Sequence, residues 1–168
     1  MIILIIHTVI SFLLDGLMSN YITTNILSPS FLRTIYTVIS LVIIFNYFEN
    51  KRKYLYILLV LGCLFDIVYT NTFLLNIFIF YIIYFVLKQL DYFIPNNLLT
   101  INIKSLIAIF IYHIMTYLLL LISNYHYFPS KLLWLILTRS IIMTVIYTSI
   151  SFLILKKIFF KKYDKKIK

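Results

Sequence analysis

The sequence predicts an all-α integral membrane protein, a bundle of six transmembrane helices. Three observations predict it. Of 168 residues, 63% are hydrophobic and only 12% charged, with a mean hydropathy of +1.03. A soluble domain carries about 25% charged and about 45–50% apolar residues, and a chain this size could not hide the excess from water. The apolar residues also fall into six runs divided by charges and turn formers, and the positive charges gather on alternate connections. Disorder, a coiled coil, a disulfide scaffold and an ordinary soluble enzyme are excluded. The single cysteine, Cys63, forms no intrachain disulfide.

A spanning helix needs about 20 apolar residues, within a range of about 17–25. The spans read from the sequence are residues 2–18, 31–48, 54–69, 73–87, 103–122 and 132–155. Span one lacks a basic leader and a small-x-small cleavage pattern, so it reads as a retained helix. A polar link with Asn20, Thr23, Thr24, Asn25 and Pro29 leads to span two, which ends at the charged turn Glu49-Asn50-Lys51-Arg52-Lys53. Spans three and four share only the 34 residues between Lys53 and Lys88. Sixteen helical residues reach about 24 Å against a hydrocarbon core of about 30 Å, so this pair reads as short. Its turn, Thr70-Asn71-Thr72, is then expected below the headgroups, covered by protein. Residues 88–100 and 124–130 form the last two loops, and 156–168 a basic tail.

Fifteen Lys plus Arg against five Asp plus Glu give a net charge of +10. With the N-terminus inside, twelve cations are cytoplasmic (Lys51, Arg52, Lys53, Lys88, Lys104 and seven tail lysines) and two, Arg33 and Lys131, are external. This positive-inside split places both termini in the cytoplasm of a cell-membrane protein. The tail, with Lys156, Lys157, Lys161 and Lys162, reads as an orientation lock and a tether to anionic lipid, each lysine contributing about 1 kcal/mol. In such a protein the basic excess does not point to nucleic acid.

Charged groups within spans usually face the bundle interior. Asp15, Asp66 and Arg139, with Arg33 at the head of span two, all fall in the outer third of the membrane on this topology. They form a candidate polar cluster that fixes helix packing; the alternative is that Arg33 and Asp15 snorkel to the headgroups independently, which is the preferred reading for Arg33. Asp66, held by two helices under a turn, is expected to be buried. The segment Ser11-Phe12-Leu13-Leu14-Asp15-Gly16 echoes Gly62-Cys63-Leu64-Phe65-Asp66-Ile67: each places a small residue one turn before the aspartate, where another helix can approach. Ser140, Thr144, Thr148 and Ser151 form a stripe that marks the inward face of span six. His7 and His113, on different spans, lack metal-ligand spacing. No phosphate loop, dinucleotide fingerprint or nucleophile elbow occurs. No catalytic residue, cofactor site or metal site is therefore assigned.

The stretch from Ser28-Pro29-Ser30 to Leu90 carries a proline before span two, a charged turn, then Gly62-Cys63-Leu64-Phe65-Asp66 and a turn before an aromatic-rich span. This resembles the rod shape-determining protein MreD family, of the type found in low-GC Gram-positive bacteria. The resemblance implies a fold similar to the S component of energy-coupling factor transporters. It implies a non-catalytic scaffold of the cell-elongation and peptidoglycan-synthesis machinery. MreC is then the main partner, with MreB, RodA and a class B penicillin-binding protein in the same complex. Pro29, Gly62 and Asp66 become the family-motif positions. The alternative is an S-component-like subunit binding a vitamin or small solute, an architecture that the fold by itself does not distinguish.

Overall fold

The computed structural model describes residues 2–21, 34–48, 50–70, 74–93, 97–122 and 130–164. These form α1 (Ile2–Tyr21), α2 (Tyr36–Tyr47), α3 (Lys51–Phe65), which runs on into a π-helical turn at Asp66–Thr70, α4 (Leu75–Phe93), α5 (Leu98–Ile122) and α6 (Ser130–Asp164). Among the described residues there is no strand. Pro29 and Arg33 lie outside the described residues, as do Asn71 and Thr72 of the turn after α3.

The helices alternate in direction. Asp15 near the end of α1 meets the start of α2, and Asp66 at the end of α3 meets the start of α4. At the opposite end, Lys104 early in α5 meets Asp91 late in α4 and Asn46 late in α2. The bundle thus has an aspartate end and a lysine end. Thr34 and Thr144 share a hydrogen bond of 2.8 Å, and Asn46 and Tyr47 share a cleft with Phe152 and Lys156, so α2 and α6 lie side by side and parallel.

Four helical stretches are long and apolar enough to cross a bilayer: Lys51–Thr70, Leu75–Phe93, Leu98–Leu119 and Ser130–Ile158. The arrangement of polarity points the same way. Large apolar side chains such as Ile6, Leu13, Tyr56, Val60, Phe78, Phe85, Trp134 and Ile150 face outward. Thr8, Ser11, Ser40, Asn76, Ser140, Thr144, Thr148 and Ser151 are buried. Polar groups inside and an oily exterior are what a lipid solvent selects. The span-six stripe therefore faces the interior.

Three expectations from sequence need correction. Span two, expected over 31–48, contains a helix of only 12 residues, Tyr36–Tyr47. At 1.5 Å per residue it is about 18 Å long, too short to cross a bilayer alone. Thr34 and Ile35 precede it; Ile35 is extended, and both are buried. The bundle tolerates this because α2 is its central rod. Every residue from Tyr36 to Phe45 is buried, and α2 packs against each of the other five α-helices. A helix apolar all round belongs in such a place, and non-helical backbone at membrane depth is stable only when protein covers it.

Spans three and four are not short. Asn50 caps α3 by accepting hydrogen bonds from the amides of Arg52 and Lys53, at 3.0 and 3.4 Å, so the charged turn becomes the first turn of the helix. With its π turn the stretch has 20 residues, and α4 runs six residues past the expected Leu87 to Phe93. Finally, α5 starts at Leu98 rather than 103, so Lys104 lies in its second turn instead of at its first residues, and it is fully buried. The sequence counts it among the cytoplasmic cations. The tail is also helical as far as Asp164, as part of a 35-residue α6.

Candidate functional site

A helix begins with amide N–H groups that have no partner within the helix. In water they are hydrated; inside a bundle they need an acceptor. The residue before α2 is Ile35, whose side chain supplies none. Asp15 does so from α1: its two carboxylate oxygens accept from the amides of Tyr36 and Thr37, each at 2.8 Å. The carboxylate also faces the positive end of the α2 dipole.

Asp66 does the same for α4. Both its oxygens accept from the amide of Asn76, at 3.0 and 3.2 Å, and Oδ1 also accepts from Asn76 Nδ2 at 2.8 Å and from Thr70 Oγ1 at 3.3 Å. Asn76 passes the connection on, its Oδ1 accepting from Tyr112 Oη at 2.7 Å. Asp66, Asn76 and Tyr112 are buried, so one hydrogen-bonded chain ties α3, α4 and α5 together. The π turn starts at Asp66, and Leu74, just before α4, has a left-handed backbone with φ of 62°. That conformation costs an L side chain about 1–2 kcal/mol. It belongs to the same turn that brings the Asn76 amide back to the aspartate.

The echo between the two aspartate segments is thus one of role: each carboxylate caps the following helix from the helix before. The small residues serve different neighbours. Gly62 allows α4 close approach, since a Cβ there would lie 2.9 Å from Ile77 Cα. Ser11 instead hydrogen-bonds Tyr147 of α6, at 2.7 Å between oxygens. Tyr69 links the aspartate segments: its hydroxyl donates to the Phe12 carbonyl at 2.6 Å, over the space left by Gly16.

The expected cluster is therefore brought together in part. Asp15 and Asp66 share one end of the bundle and are bridged through Tyr69. Each carboxylate accepts from backbone amides at the start of the next helix. Arg139 is half-buried on α6 toward the same end. It lies five residues before Thr144, about 7.5 Å along the axis from the Thr34 contact, and so beyond the start of α2.

The lysine end holds a second polar centre that sequence reasoning missed. Lys104, fully buried, places Nζ 3.0 Å from Asp91 Oδ1 and 3.3 Å from Asn46 Oδ1. Lys51 donates to the Phe45 carbonyl at 2.8 Å, lies 3.8 Å from Asp91 Oδ2, and sits over the Phe45 ring at 3.6 Å. One carboxylate thus joins the starts of α3 and α5 to the end of α4. Beside Asn46, a cavity of about 360 Å³ opens between the end of α2, the start of α5 and α6, with Lys156 at its rim. Lys157 is exposed on the helical continuation of α6, which also carries Lys161 and Lys162. Among the described residues no group of three or more His, Cys, Asp or Glu is placed to hold a metal ion.

Comparison of the chain with protein-family models, with curated proteins and with solved structures finds no match.

Proposed function

We propose that this protein is a six-span scaffold of the MreD type, seated in the cell membrane with both termini cytoplasmic and the aspartate end outward. In this reading α1 and α2 cross the bilayer as a hairpin like the longer helices, α2 in the shelter of the other five. The protein performs no chemistry of its own. It binds MreC through its outward helical faces and positions MreB, RodA and a class B penicillin-binding protein for cell-wall synthesis. An S-component-like fold follows from the same resemblance.

The observation that supports a scaffold best is how the interior polar groups are used. Asp15, Asp66, Asn76 and Tyr112 are engaged in joining helices. A carboxylate that caps a neighbouring helix holds two helices at a fixed angle and height. The outward faces then present a constant surface to a partner's membrane span.

The test is depletion together with co-purification. The scaffold reading expects rounded, lysis-prone cells and recovery of MreC with the tagged chain. Rod-shaped cells with a growth defect rescued by a vitamin would overturn it in favour of a solute-binding subunit.

A further inference from the structure

We propose that the cleft between α2, α5 and α6 at the lysine end binds one anionic phospholipid. Its phosphodiester headgroup lies at Lys156, Asn46 and Asn97, and an acyl chain runs out along Leu98 and Leu153. The proposal rests on the bundle lying in a bilayer with its lysine end cytoplasmic, and is independent of the scaffold role.

The cleft has two chemistries in the order a lipid needs. Asn97 and Lys156 are exposed at its mouth, whereas Ile101 and Phe152 are buried behind them. Leu153 is half-exposed on the oily exterior of α6, so the apolar wall continues into the lipid-facing surface. A soluble anion has no use for that wall. The cleft, about 360 Å³ in volume, has room for a headgroup, so the acyl chains lie outside it against the lipid-facing surface.

One ammonium group flanks the polar part. Lys156 lies at the rim, over the Phe152 ring at 6.0 Å. Lys104, behind Asn46 at 3.3 Å from its oxygen, is fully buried and paired with Asp91, so it holds Asn46 in place rather than meeting the headgroup. The first turn of α5 adds the positive end of a 25-residue helix at Asn97 and Leu98, which line the cleft. Basic pockets between membrane helices on the cytoplasmic side are where anionic headgroups bind. The basic tail gathers such lipids along the whole surface; the cleft would select one and hold it between three helices.

The experiment uses the full chain purified in mild detergent and offered phosphatidylglycerol or phosphatidylcholine, with retained lipid counted by native mass spectrometry. The site predicts one phosphatidylglycerol retained in clear preference to phosphatidylcholine. Lys156→Gln should weaken retention about fivefold, the factor one lysine beside an anionic surface contributes. Leu98→Trp, which fills the mouth from a partly exposed position, should abolish it. Lys162→Gln in the tail should leave it unchanged. Equal retention of both lipids, survival of binding in Leu98→Trp, or equal losses in Lys156→Gln and Lys162→Gln would each overturn the proposal. Helical content by circular dichroism identifies any variant that fails to fold, and Lys156→Gln, at an exposed site, keeps the test decisive in that event.

Discussion

Replacing Asp15 by Asn tests the cross-helix cap with almost no change in size. In the native protein the two oxygens accept one amide each, at 2.8 Å. The amide side chain of Asn offers one oxygen and one NH2 group. One bond survives as a neutral one; the other becomes a donor facing a donor. Bonds to a charged group contribute about 1.5–3 kcal/mol, neutral ones about 0.5–1.5, and an orphaned buried N–H costs about 1–3. Loss of the charge at the α2 N-terminus adds about 0.3–1 kcal/mol. Since Asp15 is partly buried, the expected destabilisation is about 2–4 kcal/mol, read as the shift in reversible unfolding of the purified protein in mixed micelles. A value within about 0.5 kcal/mol of wild type, the usual range for surface substitutions, would refute the reasoning.

The same logic gives further expectations. Tyr112→Phe removes the donor to Asn76 Oδ1 and leaves that oxygen buried, so it should cost about 1–3 kcal/mol in the same assay; no loss would remove Tyr112 from the network. Gly62→Ala sets a Cβ 2.9 Å from Ile77 Cα, where only backbone movement gives relief. Overpacking of about 1–3 kcal/mol is expected, against a smaller loss for Gly16→Ala, whose Cβ meets the movable end of Tyr69. Asp91→Asn removes the carboxylate partner of fully buried Lys104 and should cost about 3–5 kcal/mol, whereas adding Lys104→Met should recover most of that loss. A double variant as unstable as the single one would show that the pair is not coupled.

The sequence revealed different parts of this structure to different degrees, for physical reasons. The period of Ser140, Thr144, Thr148 and Ser151 is helical and local, so the buried face of α6 was readable. Burial of Asp66 was readable because lipid leaves a carboxylate few other places. Its partner was not. A cap normally lies next to the helix it serves, but α2 receives its cap from 21 and 22 residues earlier, and α4 from 10 residues earlier. Lys104 misled for a similar reason: its carboxylate partner Asp91 is 13 residues back, beyond a loop, so it read as one more cytoplasmic cation. One local signal did mark the true start of α5, since the Asn97 amide donates to Thr100 Oγ1 at 2.8 Å across a three-residue spacing. The shortness of α2 left no trace, because a wholly buried helix and a membrane span are both apolar all round.

The central claim is that Asp15 holds the first amides of a buried helix, and amide hydrogen exchange at Tyr36 and Thr37 tests it most directly. In wild-type protein both amides should be protected like those of Val38 to Ile43 further along the helix, and Asp15→Asn should expose one or both while the later turns stay protected. Rapid exchange at Tyr36 and Thr37 in the wild type, or protection there that ignores the substitution, would contradict the account.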